Sequence, residues 1–295
     1  MSKTNKLMIQ VCLSGAGTRK EQAPTVPYTP EEIARQVVEC TKAGASIAHI
    51  HVRKDTTLPD GTFIEGYKSM DLEKFTEAYK LSRKYLAEEG LDCVINLTTS
   101  GGEYEDYKRL QHLAALKPEM CSFDPNTINW NNAYIFENSP RFLNLLSEEI
   151  VKLGIKPEFE VFDTGHLDSV QYYCDKWNIP KPPHIQFVIG VGGCMPATPL
   201  NLAFMHSKLP EGATWSVTGI GKSHIPMMLA GLALGCDGLR VGLEDNIVYG
   251  YENGKKIIAT NKMFVERAVA LGKLAGREIA TAADVREILG LKNQD

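Results

Sequence analysis

The chain has 295 residues, 43% of them hydrophobic and 23% charged, with 32 Lys and Arg against 36 Asp and Glu for a net charge of −4. This is ordinary globular composition, which excludes collagen-like, disordered and disulfide-scaffold classes. A mildly acidic chain also has no overall pull toward nucleic acid or an anionic membrane, so a polyanionic ligand must be held by local charges.

The N-terminal Met1–Lys6 is polar, has no signal-peptide core and leads directly into a strand-like run, Leu7–Leu13. Thr29-Pro30-Glu31-Glu32 then reads as a capping box with Pro at the first helical position, opening a helix that ends near Ala43-Gly44. A second strand, Ser46–Val52, a long loop from Arg53 to Asp71 and a helix over Leu72–Glu89 follow. The same alternation continues with strand Cys93–Leu97 and helix Glu105–Leu116, then Met120–Phe123 and Pro140–Leu153, then Pro157–Val161 and Gly165–Trp177. It closes with His184–Val191 and Thr198–Lys208, Thr214–Val217 and Lys222–Leu234, and Gly238–Val241, a long loop Leu243–Thr260 and helix Asn261–Gly276. A terminal helix over 281–291 follows the Thr281 cap.

Most of these strands are apolar on both faces, as strands of a helix-covered parallel sheet must be. Eight strands, each followed by a helix, predict a single (β/α)8 barrel spanning 1–295, with an open doubly wound sheet as the alternative. In a barrel the active site lies where the strands end. The two long loops rise from the same sector there, because the second and eighth strands both neighbour the first. No apolar run approaches the roughly 18 residues of a membrane-spanning helix. The seven cysteines are widely spaced with no CxxC, which predicts reduced core thiols in a cytoplasmic protein.

The sharpest chemical signal is Ala48-His49-Ile50-His51-Val52 at the end of the second strand. Strand side chains alternate, so His49 and His51 point the same way, about 6.5–7 Å apart along the strand, and can ligate one divalent metal. The other reading is two separately hydrogen-bonded histidines. The eighth strand ends Arg240-Val241-Gly242-Leu243-Glu244-Asp245, which supplies a third ligand; spacing alone leaves open whether Glu244 or Asp245 fills that role. Two His and one carboxylate suit Zn²⁺, and also Fe²⁺ or Mn²⁺. Arg240 can pair with Asp245 or bind a substrate carboxylate or carbonyl.

Further candidates at the mouth are Thr98 and Ser100 after strand three, Asp124 after strand four, and Glu160, which shares a strand face with Glu158. Glycine turns at Gly190–Gly193 and Gly219–Lys222 precede helices; Gly192, Gly193, Gly221 and Lys222 are candidate phosphate contacts, although neither turn completes a GxGxxG or a P-loop. A barrel hydrolase would also use HxH, but on its first strand and with further histidines. Only His166 and His224 of the remaining five approach strand ends, so that set is incomplete.

These residues resemble the β-keto acid cleavage enzyme family, over roughly Leu7–Leu291. The matching stretches are TPEEIA at 29–34, AGASIAHIHVR at 43–53, KPEMCSF at 117–123, HIQFVIGVGG at 184–193, TGIGKSHIP at 218–226, RVGLEDNI at 240–247 and VREILGL at 285–291. The resemblance implies a TIM barrel, a homotetramer, one Zn²⁺ on His49, His51 and Glu244, and condensation of a β-keto acid with acetyl-CoA to give acetoacetate and a new acyl-CoA. It further implies Arg240 and Asp245 as the catalytic pair, Thr98 in place of an active-site serine, and Thr127 as a substrate contact. One departure concerns the substrate: a glutamate that holds an amino group in the family's namesake is replaced by Gly17. Glu21 or Asp124 could substitute for it, whereas Arg19 would suit an anionic side chain. Lys222 stands where the family usually has Arg.

Overall fold

The computed structural model describes residues 4–291; the expected outer limits at 1 and 295, and the polar residues 1–3, lie outside the described residues. Eight parallel strands form the expected closed barrel: β1 (Lys6–Cys12), β2 (Ile47–Ile50), β3 (Val94–Leu97), β4 (Met120–Phe123), β5 (Lys156–Val161), β6 (His184–Ile189), β7 (Thr214–Gly219) and β8 (Gly238–Val241). Closure is direct, with Gln10 of β1 in register with Arg240 of β8 on one side and with Ile47 of β2 on the other. The open-sheet alternative is therefore excluded.

Helices α1 (Pro30–Ala43), α2 (Leu72–Glu88), α3 (Asp106–Leu116), α4 (Pro140–Leu153), α5 (Thr164–Trp177), α6 (Pro199–His206), α7 (His224–Leu234) and α8 (Asn261–Leu274) follow the successive strands. Their starts obey side-chain chemistry. Thr29 and Glu32 make the reciprocal capping box, and Asp71, Ser139, Thr198 and Thr260 each accept from a first-turn amide. The expected seventh helix begins later than its sequence suggests, because Gly221–Ser223 forms a separate 3₁₀ turn before His224.

The two long loops are not irregular. Val52–Thr57 pairs with Phe63–Ser69, and Val248–Glu252 with Lys255–Ile258, as antiparallel hairpins. A third hairpin, Ile128–Trp130 with Tyr134–Phe136, follows β4 and has no counterpart in the sequence reading. Two- and three-residue-scale alternation is too short to distinguish from loop in a single sequence.

The barrel interior is graded. Met8, Ile47, Val94 and Met120 form an apolar bottom layer packed against Ala282, Val285 and Leu289 of α9 (Ala282–Leu289). The chain reaches that end through Glu278–Ile279, which pairs with the start of β1. Higher up, the inward positions become polar: Gln10, His49, Asn96, Glu158, Glu160 and Arg240 are all buried. A barrel plugged with hydrocarbon at one end and lined with hydrogen-bonding groups at the other has its chemistry at the open end.

Candidate metal and active site

His49 is the penultimate residue of β2 and His51 lies one residue beyond the strand, both buried, with ring centroids 5.0 Å apart at 71°. Glu244 enters from the turn after β8. Its Oε1 lies 3.5 Å from His51 Nε2 and its Oε2 3.9 Å from His49 Nε2. One potential ligand atom from each of the three falls within 4.8 Å of the others. Burial pushes the His49 imidazole down to about 4, so it is neutral and keeps a lone pair for a metal. Burial alone would raise the Glu244 carboxyl, but Arg240 and the two imidazoles overcome it and hold the group well below the usual carboxylate range. His49 Nδ1 and Glu244 Oε2 are buried with no hydrogen-bond partner among the described residues. A neutral His49 with a second imidazole beside it, an ionised carboxylate and orphaned polar atoms are the donor set a divalent cation requires.

A second grouping, His49 with Glu158 and Glu160, also brings its atoms within 4.8 Å. Glu158 is fully buried, accepts from Gln10 Nε2 at 2.9 Å and Asn96 Nδ2 at 3.1 Å, and is pushed up to about 8 by burial and the neighbouring Glu160. A carboxyl that holds its proton is a poor ligand, so the set containing Glu244 is the better fit.

Arg240 organises the mouth. Its Nε and Nη2 each lie 3.0 Å from an Asp245 oxygen, Nη1 is 2.7 Å from Glu160 Oε1, and Nη2 is also 2.7 Å from Glu244 Oε1. These four bonds use four of the five guanidinium N–H groups. Asp245 accepts further from Thr218 at 3.2 Å; burial raises its carboxyl pKa although Arg240 opposes the shift. On the other side of Glu160, Asp124 accepts from Ser100 Oγ at 2.8 Å. It is raised well above the usual range by burial and by the Glu160 charge. The Thr98 hydroxyl accepts from Ser100 N–H at 3.0 Å, which leaves its own proton free to donate.

The remaining candidates lie further from this network. Thr127 is exposed and accepts from Asn138 N–H at 2.9 Å, fastening the base of the β4 hairpin. Gly17 is exposed, with nothing within 4 Å of where a Cβ would stand. Arg19 turns away onto the Glu65 carbonyl at 3.4 Å. The Gly192 amide donates to Asn131 Oδ1 at 3.0 Å, and a Cβ on Gly193 would collide with the Asn129 carbonyl, so this turn is packed on the hairpin. Gly221 N–H donates to the Asp245 carbonyl at 3.0 Å, which ties the Lys222 turn to Asp245, while Lys222 itself is exposed.

One residue was missed at the sequence level. Arg53, 2% exposed, donates to the carbonyls of Ser14 (2.8 Å), Ala16 (3.0 Å), Thr18 (3.2 Å) and Gly66 (3.2 Å). It binds the segment after β1 to the hairpin after β2. Its place two residues past His51, in step with the His49–His51 alternation, was the available signal.

A family model for the β-keto acid cleavage enzyme matches residues 6–291. The chain is 39% identical over 288 residues to 3-keto-5-aminohexanoate cleavage enzyme of Fusobacterium nucleatum, covering 97% of this chain and 98% of that one. It is 29% identical over 295 residues to 3-oxoadipate:acetyl-CoA acetyltransferase of Cupriavidus necator, covering 99% and 97%. Among solved structures, the complex of ObcA with oxaloacetate superposes with a TM-score of 0.79 at 21% identity, over 92% of this chain and 68% of that one, which speaks for the fold. The chain belongs to the β-keto acid cleavage enzyme family.

Proposed function

We propose that the protein condenses a β-keto acid with acetyl-CoA and releases acetoacetate and a new acyl-CoA. The observation that carries this reading is the junction of two functions at one arginine: Arg240 grips Asp245 through two hydrogen bonds and Glu244 of the ligand set through a third. His49, His51 and Glu244 would hold the cation, taken as Zn²⁺; once bound, it would polarise the ketone and carboxylate oxygens of the β-keto acid as a Lewis acid.

Asp245 removes a proton from C2 of the β-keto acid, and the C2 electron pair attacks the thioester carbonyl of acetyl-CoA. The unused N–H of Arg240 and the free hydroxyl proton of Thr98 donate to the oxygen that gains charge. Expulsion of the CoA thiolate completes the C–C bond. The thiolate then attacks the original ketone carbon, the bond from that carbon to C2 breaks, and Asp245 returns its proton to the departing acetoacetate. In this scheme Ser100, Asp124, Glu160 and Thr127 wall the substrate, with Gly17 and Arg19 above it. Lys222 with Gly221 is the CoA phosphate contact, beside the turn of Gly192 and Gly193.

A homotetramer is part of the proposal. It is supported by α6 and α7, which present Leu200 (79% exposed), Phe204, Ile225 and Leu229 outward and carry no Asp, Glu, Lys or Arg. Among the described residues no helix is long and apolar enough to cross a membrane. All seven cysteines are unpaired, which supports a cytoplasmic setting.

The test is incubation of the zinc-loaded enzyme with acetyl-CoA and a panel of β-keto acids, following acetoacetate and the new acyl-CoA together. Equimolar formation of both is expected. Consumption of the β-keto acid at an unchanged rate without acetyl-CoA would establish a metal-dependent hydrolase instead.

A further inference from the structure

Three loops meet beside His51. The hairpin after β2 contributes Lys68, Ser69 and Met70, the segment after β3 contributes Ser100–Tyr104, and the hairpin after β4 contributes Tyr134 and Phe136; together they line a cleft that opens onto His51. Its volume, counted as room for the centres of water-sized groups, is about 50 Å³, space for about three or four such groups at about 10–15 Å³ each.

The walls are packed. A Cβ on Gly101 would come 2.9 Å from Met70 Cγ and 3.3 Å from the Tyr104 ring, and a Cβ on Gly102 would come 2.8 Å from the Glu137 backbone. Tyr104 is fixed by donation to the Lys68 carbonyl at 2.8 Å.

Lys68 and Glu103, the Lys and Glu of the cleft wall, are paired with each other. Lys68 Nζ lies 2.6 Å from Glu103, with the Tyr134 ring centroid 5.7 Å away. Arg19 lies outside the cleft wall, donating to the Glu65 backbone carbonyl at 3.4 Å, and Gly17 offers no side chain at all. A substrate bringing an ammonium would find the carboxylate of the cleft wall, Glu103, held by Lys68. One bringing a second carboxylate would find the ammonium of the cleft wall, Lys68, held by Glu103. Either would have to break that pair to be matched, which leaves the displaced partner without its counter-charge beside the apolar walls.

We propose that this cleft is the side-chain pocket, and that it selects β-keto acids whose chain beyond the ketone is short and uncharged, of about one to three carbons. The inference rests on the acyl-transfer reading only for the kind of head group that sits at His51. Met70, Phe136 and the two tyrosine rings pack the alkyl chain. Tyr134, half exposed, closes the cleft from outside, so it sets the length limit.

Two measurements test this on the zinc-loaded enzyme. Titration calorimetry without acetyl-CoA compares 3-oxopentanoate, 3-oxohexanoate, 5-amino-3-oxohexanoate and 3-oxoadipate, and so reads the pocket apart from the chemistry. The two uncharged acids are expected to bind at least about 10-fold more tightly; equal or tighter binding of either charged acid overturns the assignment. In turnover with acetyl-CoA the kcat/KM ratio is expected to favour the uncharged acids by about 100-fold. If no acid turns over while the binding order holds, the pocket stands and acyl transfer falls. Tyr134→Ala supplies the second arm: it is expected to raise kcat/KM for 3-oxooctanoate relative to 3-oxopentanoate by about 10-fold or more, the scale of a few methylenes in an apolar pocket. An unchanged ratio would show that Tyr134 does not bound the pocket and would overturn its placement.

Discussion

Gly15 and Glu244 compete for one space. Gly15 has φ +54°, and a Cβ built there would fall inside the van der Waals envelope of Glu244 Cγ and stand 3.0 Å from Glu244 Cβ and Cδ. The carboxylate proposed to close the ligand set reaches His49 and His51 only because the chain after β1 has no side chain at that point.

Gly15→Ala should therefore displace Glu244 rather than merely strain the backbone. The variant is expected to lose at least about 10-fold in zinc affinity, the range for disturbing a supported metal ligand, with a stability cost of about 1–3 kcal/mol from the left-handed conformation. Zinc per chain after dialysis against a buffered chelator measures the first effect and chemical denaturation the second. Wild-type zinc affinity in the variant would disconnect Gly15 from the ligand set.

Asp245→Asn separates chemistry from metal binding. The amide cannot take the C2 proton, so kcat is expected to fall by about 10²–10⁴-fold, the usual contribution of a positioned base. His49, His51 and Glu244 are unaltered, so zinc content should remain at one per chain. His49→Ala should lose both. Measuring metal content beside kcat for the two variants distinguishes the roles.

Much of this was legible in one dimension. The HIHVR and RVGLEDNI stretches already place His49, His51, Arg240, Glu244 and Asp245 at the ends of strands that flank β1, because strand alternation and barrel order are fixed by backbone geometry. What stayed hidden depends on contacts between distant segments. Arg53 looks like one more basic residue until the carbonyls of Ser14, Ala16 and Thr18 converge on it. The glycine turn at Gly192 looks like an anion nest until Asn131, sixty-one positions earlier, takes its amide.

Arg53→Met tests that convergence. It leaves four buried or half-buried carbonyls without their shared donor, at about 1–3 kcal/mol for each group that water cannot reach. A loss of about 2–5 kcal/mol in stability is expected, together with faster proteolysis within 14–19. Arg53→Lys should recover little, because an ammonium cannot span carbonyls that a planar guanidinium bridges.

Acid should weaken the fold well above the usual carboxylate range. Burial pushes His112 and His184 down to about 3 and His166 and His224 down to about 4, against about 6.5 for an unfolded histidine. Below pH 6.5 the unfolded chain takes up these protons first, so stability present above 6.5 is lost as pH falls toward 4. Glu158, raised to about 8, and the raised carboxyls of Asp124 and Asp245 act in the opposite sense, but they are three groups against five once His49, also pushed down to about 4, is counted. Tm is expected to fall by more than about 5 °C between pH 7 and pH 5, and His112→Gln should flatten the slope. A flat Tm over that interval would contradict the burial of these imidazoles as neutral groups.

The bottom plug gives a control. Leu289→Ala removes a buried side chain that packs below Met8, Ile47, Val94 and Met120. A loss of about 2–5 kcal/mol is expected, with zinc content and the preference among β-keto acids unchanged at a temperature where the variant is folded.

The three hairpins at the mouth differ from the barrel beneath them in one respect: none of their strands pairs with the barrel sheet. Reaction type and clientele are thus written into separate parts of the molecule. Insertions or exchanges in the arms carrying Lys68 or Tyr134 can redirect which acid is accepted while the strand-borne histidines and Arg240 stay untouched, so one chassis can be retuned to many diets without re-inventing its chemistry.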